Sequence, residues 1–193
     1  IKMFNKKTLL ASLIAGPLLS LAQAPTDSVQ IKRNLEEVNI SAVRANEKTP
    51  MAFTNLDEAE IEEQNLGQDL PYLLSSTPSV VTTSDAGAGI GYTGFRVRGS
   101  DATRINVTVN GIPLNDSESQ GVWWVNMPDF SSSIDNIQIQ RGVGSSTNGS
   151  AAFGATINLK TDGLNSEPYT VTNNTMGSFH TCKNNIEFGT GLL

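Results

Sequence analysis

Between residues 134 and 161 the chain alternates twice, and no other stretch restricts the fold as tightly. Ile137 and Ile139 alternate with Gln138 and Gln140 up to Arg141-Gly142, and after a Gly/Ser/Asn loop the alternation resumes at Ala155, Ile157 and Leu159. A period of two sets one face of each strand on a core and the other against something polar, expected here to be water or a polar wall. The loop over residues 144–150 has the outer spacing of a phosphate-binding loop but lacks its lysine. Nucleotide binding is therefore excluded, and the small residues are read as close packing and turns.

Charge and cysteine usage narrow the chemistry. Thirteen Lys and Arg against nineteen Asp and Glu give a net charge of −6 over 193 residues. That balance argues against a nucleic-acid partner, which calls for a basic patch. One cysteine, Cys182, excludes an intrachain disulfide and a cysteine-based zinc cluster, and the lone His180 leaves little for metal chemistry. No nucleophile sits with a base, no carboxylate pair has defensible spacing, and no cofactor loop is present. The sequence therefore points to no enzyme, no cofactor and no metal site.

From the N-terminus, Lys6 and Lys7 lead into an apolar run over residues 9–19 that Gly16-Pro17 interrupts. A basic start followed by an apolar run too short to span a bilayer reads as a secretory signal over residues 1–22. Cleavage after Ala24 is the alternative. Residues 23–34 read as a flexible leader. They deliver Leu35, Glu36, Glu37, Val38, Asn39, Ile40, Ser41 and Ala42, a segment with strand alternation and no neighbour within hairpin reach. It is either an edge strand of the following domain or a strand completed by a partner's sheet edge.

Asp57 with Glu60 three residues on predicts a capped helix ending near Gly67, and a second short helix is expected from Asp69 with Pro71 in its first turn. Residues 80–82 turn into a glycine-dense loop over 85–94, which lacks the helix that a dinucleotide fingerprint requires. Two half-buried strands follow, over 95–99 and 105–109, the second closed by an Asn110-Gly111 turn. A polar loop from Asn115 leads to Trp123-Trp124, adjacent indoles that point opposite ways on an extended chain. One is expected to anchor the core and the other to meet solvent or a ligand. In the run from Thr181 onward, Cys182, Ile186, Phe188 and Leu192 share one parity while Thr181, Lys183, Asn185 and Glu187 share the other, with Asn184 and Thr190 as exceptions. An apolar and a polar face over about ten residues is the pattern of a membrane barrel strand. Two strands cannot close a barrel and an open edge is not tolerated in lipid, so the protein is expected to continue past Leu193.

In this order, the parts resemble the TonB-dependent outer-membrane receptors. The carriers are the signal, residues 35–42 as a TonB box, residues 95–99 in place of the family's IRG strand, and residues 104–114 in place of its VLVDGVPL strand. To these are added 137–142 with Phe153-Gly154 and Ile157-Asn158-Leu159. Asn110 stands where the family has Asp, and Val143 where Pro is common, so the likeness is to a subgroup. The resemblance implies an α+β fold: a small mixed-sheet plug domain with short helices over 45–163, then over 164–193 the first hairpin of a transmembrane β-barrel of about 22 strands. It implies a periplasmic N-terminus, outer-membrane lipid around the barrel, and a TonB-type energy transducer pairing with residues 35–42. It also makes Arg98 and Arg141 latches to barrel-wall carboxylates, and puts Tyr92, Gln120, Trp123 and Trp124 at the external apex as ligand contacts. The ligand, whether siderophore, corrinoid or glycan, is left open. The rival from another class is a secreted β-rich adhesive or carbohydrate-binding module, for which the aromatic loops would be a binding face.

Overall fold

A computed structural model describes residues 44–144 and 152–192. The expected signal, leader and TonB box, and nearly all of the 144–150 loop, lie outside the described residues. Strand β1 (Ala52–Leu56) leads to helix α1 (Glu58–Gln64), which begins as the Asp57/Glu60 spacing predicts. The Glu60 N–H donates to Asp57 Oδ1 at 3.0 Å and the Asp57 N–H to Glu60 Oε2 at 3.2 Å, so each residue satisfies an amide that the first turn leaves unpaired. The helix stops at Asn65, and Gly67 follows in the left-handed region at φ +89°. Helix α2 (Leu70–Leu73) starts after Asp69 with Pro71 in its first turn, where a missing N–H costs little. Leu70, Leu73 and Leu74 face inward, as expected.

The central sheet has five strands in the order β1-β6-β7-β4-β5, formed by β1 with β4 (Ile105–Val109), β5 (Ile112–Pro113), β6 (Ile134–Arg141) and β7 (Ala155–Thr161). It is mixed: β6 is antiparallel to β1 and β7, whereas β4 runs parallel to β7. The Asn110-Gly111 turn joins β4 to β5 with both residues at positive φ, +50° and +82°, the combination a two-residue hairpin needs. A separate ribbon pairs β2 (Val80–Ser84) with β3 (Thr93–Val97), and a second hairpin pairs β8 (Tyr169–Met176) with β9 (Cys182–Gly189).

Register explains the core. Ile139 lies opposite Ile157, Ile137 opposite Leu159, and Val107 beside Ile157, so apolar side chains gather on one face of the sheet. That face packs on Ile61, Leu70, Leu73, Leu74, Phe95, Val97 and Trp124. The opposite face corrects an expectation. Gln138, Gln140, Asn106, Thr108, Thr156 and Asn158 were expected against water or a polar wall, but all are buried, Gln138 to 2 % exposure. The segment at Arg44 and Ala45 covers part of this face, while Asn106 Nδ2, Thr156 Oγ1 and Asn158 Nδ2 are buried without a hydrogen-bond partner. The Gln138 amide accepts from the Ala45 N–H at 2.7 Å and donates to the Ala45 carbonyl at 2.9 Å, imitating a strand neighbour. Arg44 binds the side chain of Asn136 and donates to the Asn158 carbonyl at 3.2 Å. Burial pulls the Arg44 guanidinium below its ordinary pKa, with Asp135 opposing.

Candidate functional site

Two loops converge on features that suit recognition. Asp69, itself buried, draws in the glycine-dense loop: its carboxylate accepts from the Gly91 N–H at 3.0 Å and the Thr93 hydroxyl at 2.8 Å, while its own N–H donates to Gly89. Gly89, at φ +76°, lies so close to the Tyr72 ring that a Cβ would approach it to 2.8 Å. This packing holds the loop while leaving Tyr92 63 % exposed at its end. The second loop is pinned at its root. The Asn115 amide donates to the carbonyls of Ile105 and Gln120 and accepts from Val107, and Asp116 accepts from the Ser119 N–H and hydroxyl at 2.7 and 2.8 Å. These Ser119 bonds, backbone first, hold the Asp116 carboxyl below its ordinary pKa. Gln120 then takes a left-handed conformation, φ +60°, with its amide donating to the Ser117 carbonyl.

The tryptophans divide between core and surface, although Trp124 opens a short 3-10 helix over Trp124–Asn126 and the chain is not extended there. Trp124 is 3 % exposed and packs on Phe95 with ring centroids 5.9 Å apart; Trp123 is 53 % exposed. Trp124 is therefore corrected from a ligand contact to a core anchor, while Tyr92, Gln120 and Trp123 remain on the surface.

The strand-end arginines meet at one end of the molecule. Arg98 and Gly99 form a left-handed pair, φ +50° and +79°, and the Arg98 guanidinium lies against Gly142, whose Cβ would sit 3.3 Å from Nη1. Arg141 donates to the Thr54 hydroxyl at 2.8 Å and to the carbonyls of Pro78 and Phe53. Among the described residues the ion pairs are Lys160 with Asp135 and Lys183 with Asp129, and neither Arg98 nor Arg141 has a carboxylate within 4 Å.

The β8–β9 hairpin turns Asn173, Lys183, Asn185 and Glu187 toward α1 and leaves Ile186 and Phe188 exposed on its other face. The amphipathic split is carried by β9. On β8 the register places Thr170 opposite Phe188 and Thr172 opposite Ile186, so Tyr169 and Val171 share the polar face. Tyr169 has a reason to be there: its ring covers Gly189, where a Cβ would meet it at 2.3 Å. Between hairpin and α1 lies a cleft of about 470 Å³, rimmed by Glu58, Glu62, Asp162 and Glu187. Burial first, then this crowding of like charge, raises the Glu58 and Asp162 pKa values. Sequence reasoning did not find the Lys183–Asp129 contact. Parity placed Lys183 on the polar face, but Asp129 reaches it from a left-handed backbone, φ +53°, that no pattern announced.

Residues 45–156 match the family described as TonB-dependent Receptor Plug Domain. The vitamin B12 transporter BtuB of Vibrio vulnificus (strain YJ016) is 27 % identical over 159 residues, 81 % of this chain and 25 % of the transporter. The chain thus spans a quarter of the length of this curated relative. In structure it is similar to Pseudomonas aeruginosa FpvA, bound to pyoverdine, with TM-score 0.60 and 17 % identity over 74 % of this chain and 18 % of that one. It is also similar to the alcaligin receptor FauA of Bordetella pertussis, with TM-score 0.56 and 21 % identity over 73 % and 23 %. A mixed sheet with short helices, two anchored loops and a family match over more than half of its length lead to one conclusion: the chain belongs to the TonB-dependent receptor plug domain family.

Proposed function

We propose that the protein is an outer-membrane receptor that imports a scarce ligand through a plugged β-barrel, of which this chain supplies the coupling strand, the plug and the first wall hairpin. The observation that carries the reading is the mixed-sheet plug with an amphipathic hairpin laid against it, polar face inward and Ile186 and Phe188 outward. In this reading Leu35 to Ala42 is the strand offered to a TonB-type periplasmic transducer. Pairing needs only backbone groups and alternate side chains, which Val38 and Ile40 provide.

Ligand capture is assigned to Tyr92, Gln120 and Trp123. Exposed rings beside an amide suit a ligand with both an apolar plane and hydrogen-bonding groups, which describes chelates, corrins and sugars alike. Arg98 and Arg141 are assigned to hold the resting plug against wall carboxylates. Each guanidinium retains donors beyond those the plug satisfies, since Arg carries five. The test is capture of the full-length receptor on the immobilised periplasmic domain of the transducer. Val38→Pro removes a ladder donor and is expected to lower capture at least about tenfold, the equivalent of about 1.4 kcal/mol. Equal capture of both proteins would refute the coupling assignment.

A further inference from the structure

From the β8–β9 hairpin, Lys183 reaches Asp129, Ser132 and Gly67. Its side chain is 12 % exposed, and its ammonium lies 2.7 Å from Asp129 Oδ1 and 2.8 Å from Ser132 Oγ. Ser132 is fully used: its hydroxyl accepts from Lys183 and from the Asn65 amide at 3.0 Å, and donates to Asp129 at 2.9 Å. The lysine stem crosses Gly67, whose absent Cβ would sit 3.4 Å from the Lys183 Cδ. The stem thus has a channel and the head has a carboxylate. Gly67 and the Asp129–Ser132 segment therefore meet on one side chain of β9, and Asn65, just past α1, joins them through Ser132. Asp129 holds its carboxylate there from the left-handed region, which a residue with a Cβ adopts only at a cost.

We propose that Lys183 is a latch between the barrel wall and the plug, with the wall supplying the cation and the plug the carboxylate, the reverse of the arginine polarity assigned to Arg98 and Arg141. This inference rests on the reading of β8–β9 as wall. The pair is charge-assisted and its lysine end is buried while Asp129 is 37 % exposed, so removing the carboxylate leaves a desolvated ammonium behind. It ties the wall to the segment beside the acidic cleft, where Glu58, Glu62, Asp162 and Glu187 otherwise repel one another. Moving the Asp129–Ser132 segment away from β9 has to break it. At rest it closes that side of the plug.

The experiment uses the full-length receptor in cells and follows entry of vancomycin, too large for ordinary outer-membrane pores. Lys183→Met keeps the stem over Gly67 and removes the charge; Asp129→Asn removes the partner and leaves the wall untouched. Each is expected to raise entry about tenfold, and the double variant to add little more, because the two changes delete one interaction. Lys183→Arg should stay near wild type. Entry at the wild-type rate in both single variants, or a double variant equal to the product of the singles, overturns the latch. Where Lys183→Met fails to insert, Asp129→Asn alone decides. Val38→Pro is run beside them: tight single variants together with lost transducer capture in Val38→Pro sink the latch and leave the receptor reading standing. A wild-type protein that neither inserts nor binds the transducer sinks both.

Discussion

The Trp123-Trp124 pair separates two roles at neighbouring positions. Trp124→Ala is expected to cost about 3–5 kcal/mol, the usual loss for a large aromatic removed from a packed core, read as a lower urea midpoint. Trp123→Ala should leave that midpoint unchanged and lower ligand affinity. Asp116 adds a pH dependence. Its pKa is depressed in the fold, so the support it gives the loop is present above the unfolded value of about 3.9 and is lost as pH falls through the lower folded one. Amide exchange at Ser119 should therefore accelerate only in strong acid, and in Asp116→Ala it should be fast at neutral pH. Asp162 runs the other way. Its raised pKa means that the charged form opposes the fold, so Asp162→Asn should stabilise at neutral pH, with the gain vanishing as pH falls below about 3.9. At this scale the sequence showed that at most one indole suits the core, but not which. That choice depends on Phe95, on β3, lying beside Trp124 at the start of its 3-10 helix.

Among elements, the buried polar face of the sheet is the least ordinary. Gln138 on β6 serves as a neighbour for the backbone of Ala45, and its amide also donates to Asn55 and accepts from Gln140. Gln138→Leu is expected to leave the buried Ala45 N–H and carbonyl without their partner, at about 1–3 kcal/mol for each group. Faster exchange at the Ala45 amide would report it, and exchange at the wild-type rate would show that another group pairs with Ala45. Alternation in residues 137–140 made the two faces plain from sequence, and helix α1 was legible to its cap because a capping box is local. What covers the polar face was not legible. The partner of Gln138 is 93 residues away and offers only backbone, which carries no side-chain signature.

For the whole molecule, the organisation follows from three surfaces of differing polarity. The plug buries an apolar sheet face against α1, α2 and Trp124, and it seals a polar face with its own N-terminal residues Arg44 and Ala45. The β8–β9 hairpin then meets the plug through charge, by Lys183, and shows Ile186 and Phe188 outward. The amphipathic run after Thr181 was readable because strand parity needs no tertiary information. The direction in which its polar face points was fixed only by the fold, through Asp129 and Ser132. In the proposed receptor this hairpin stands between plug and lipid. That placement is tested most directly by a nitroxide scan of residues 182–189 in the full-length receptor in bilayers, read by collision with oxygen and with a water-soluble nickel complex. Oxygen access is expected to rise at 184, 186 and 188 and to fall at 183, 185 and 187, with little nickel access at the even positions. Strong nickel access at 186 and 188, or no alternation, would contradict that placement.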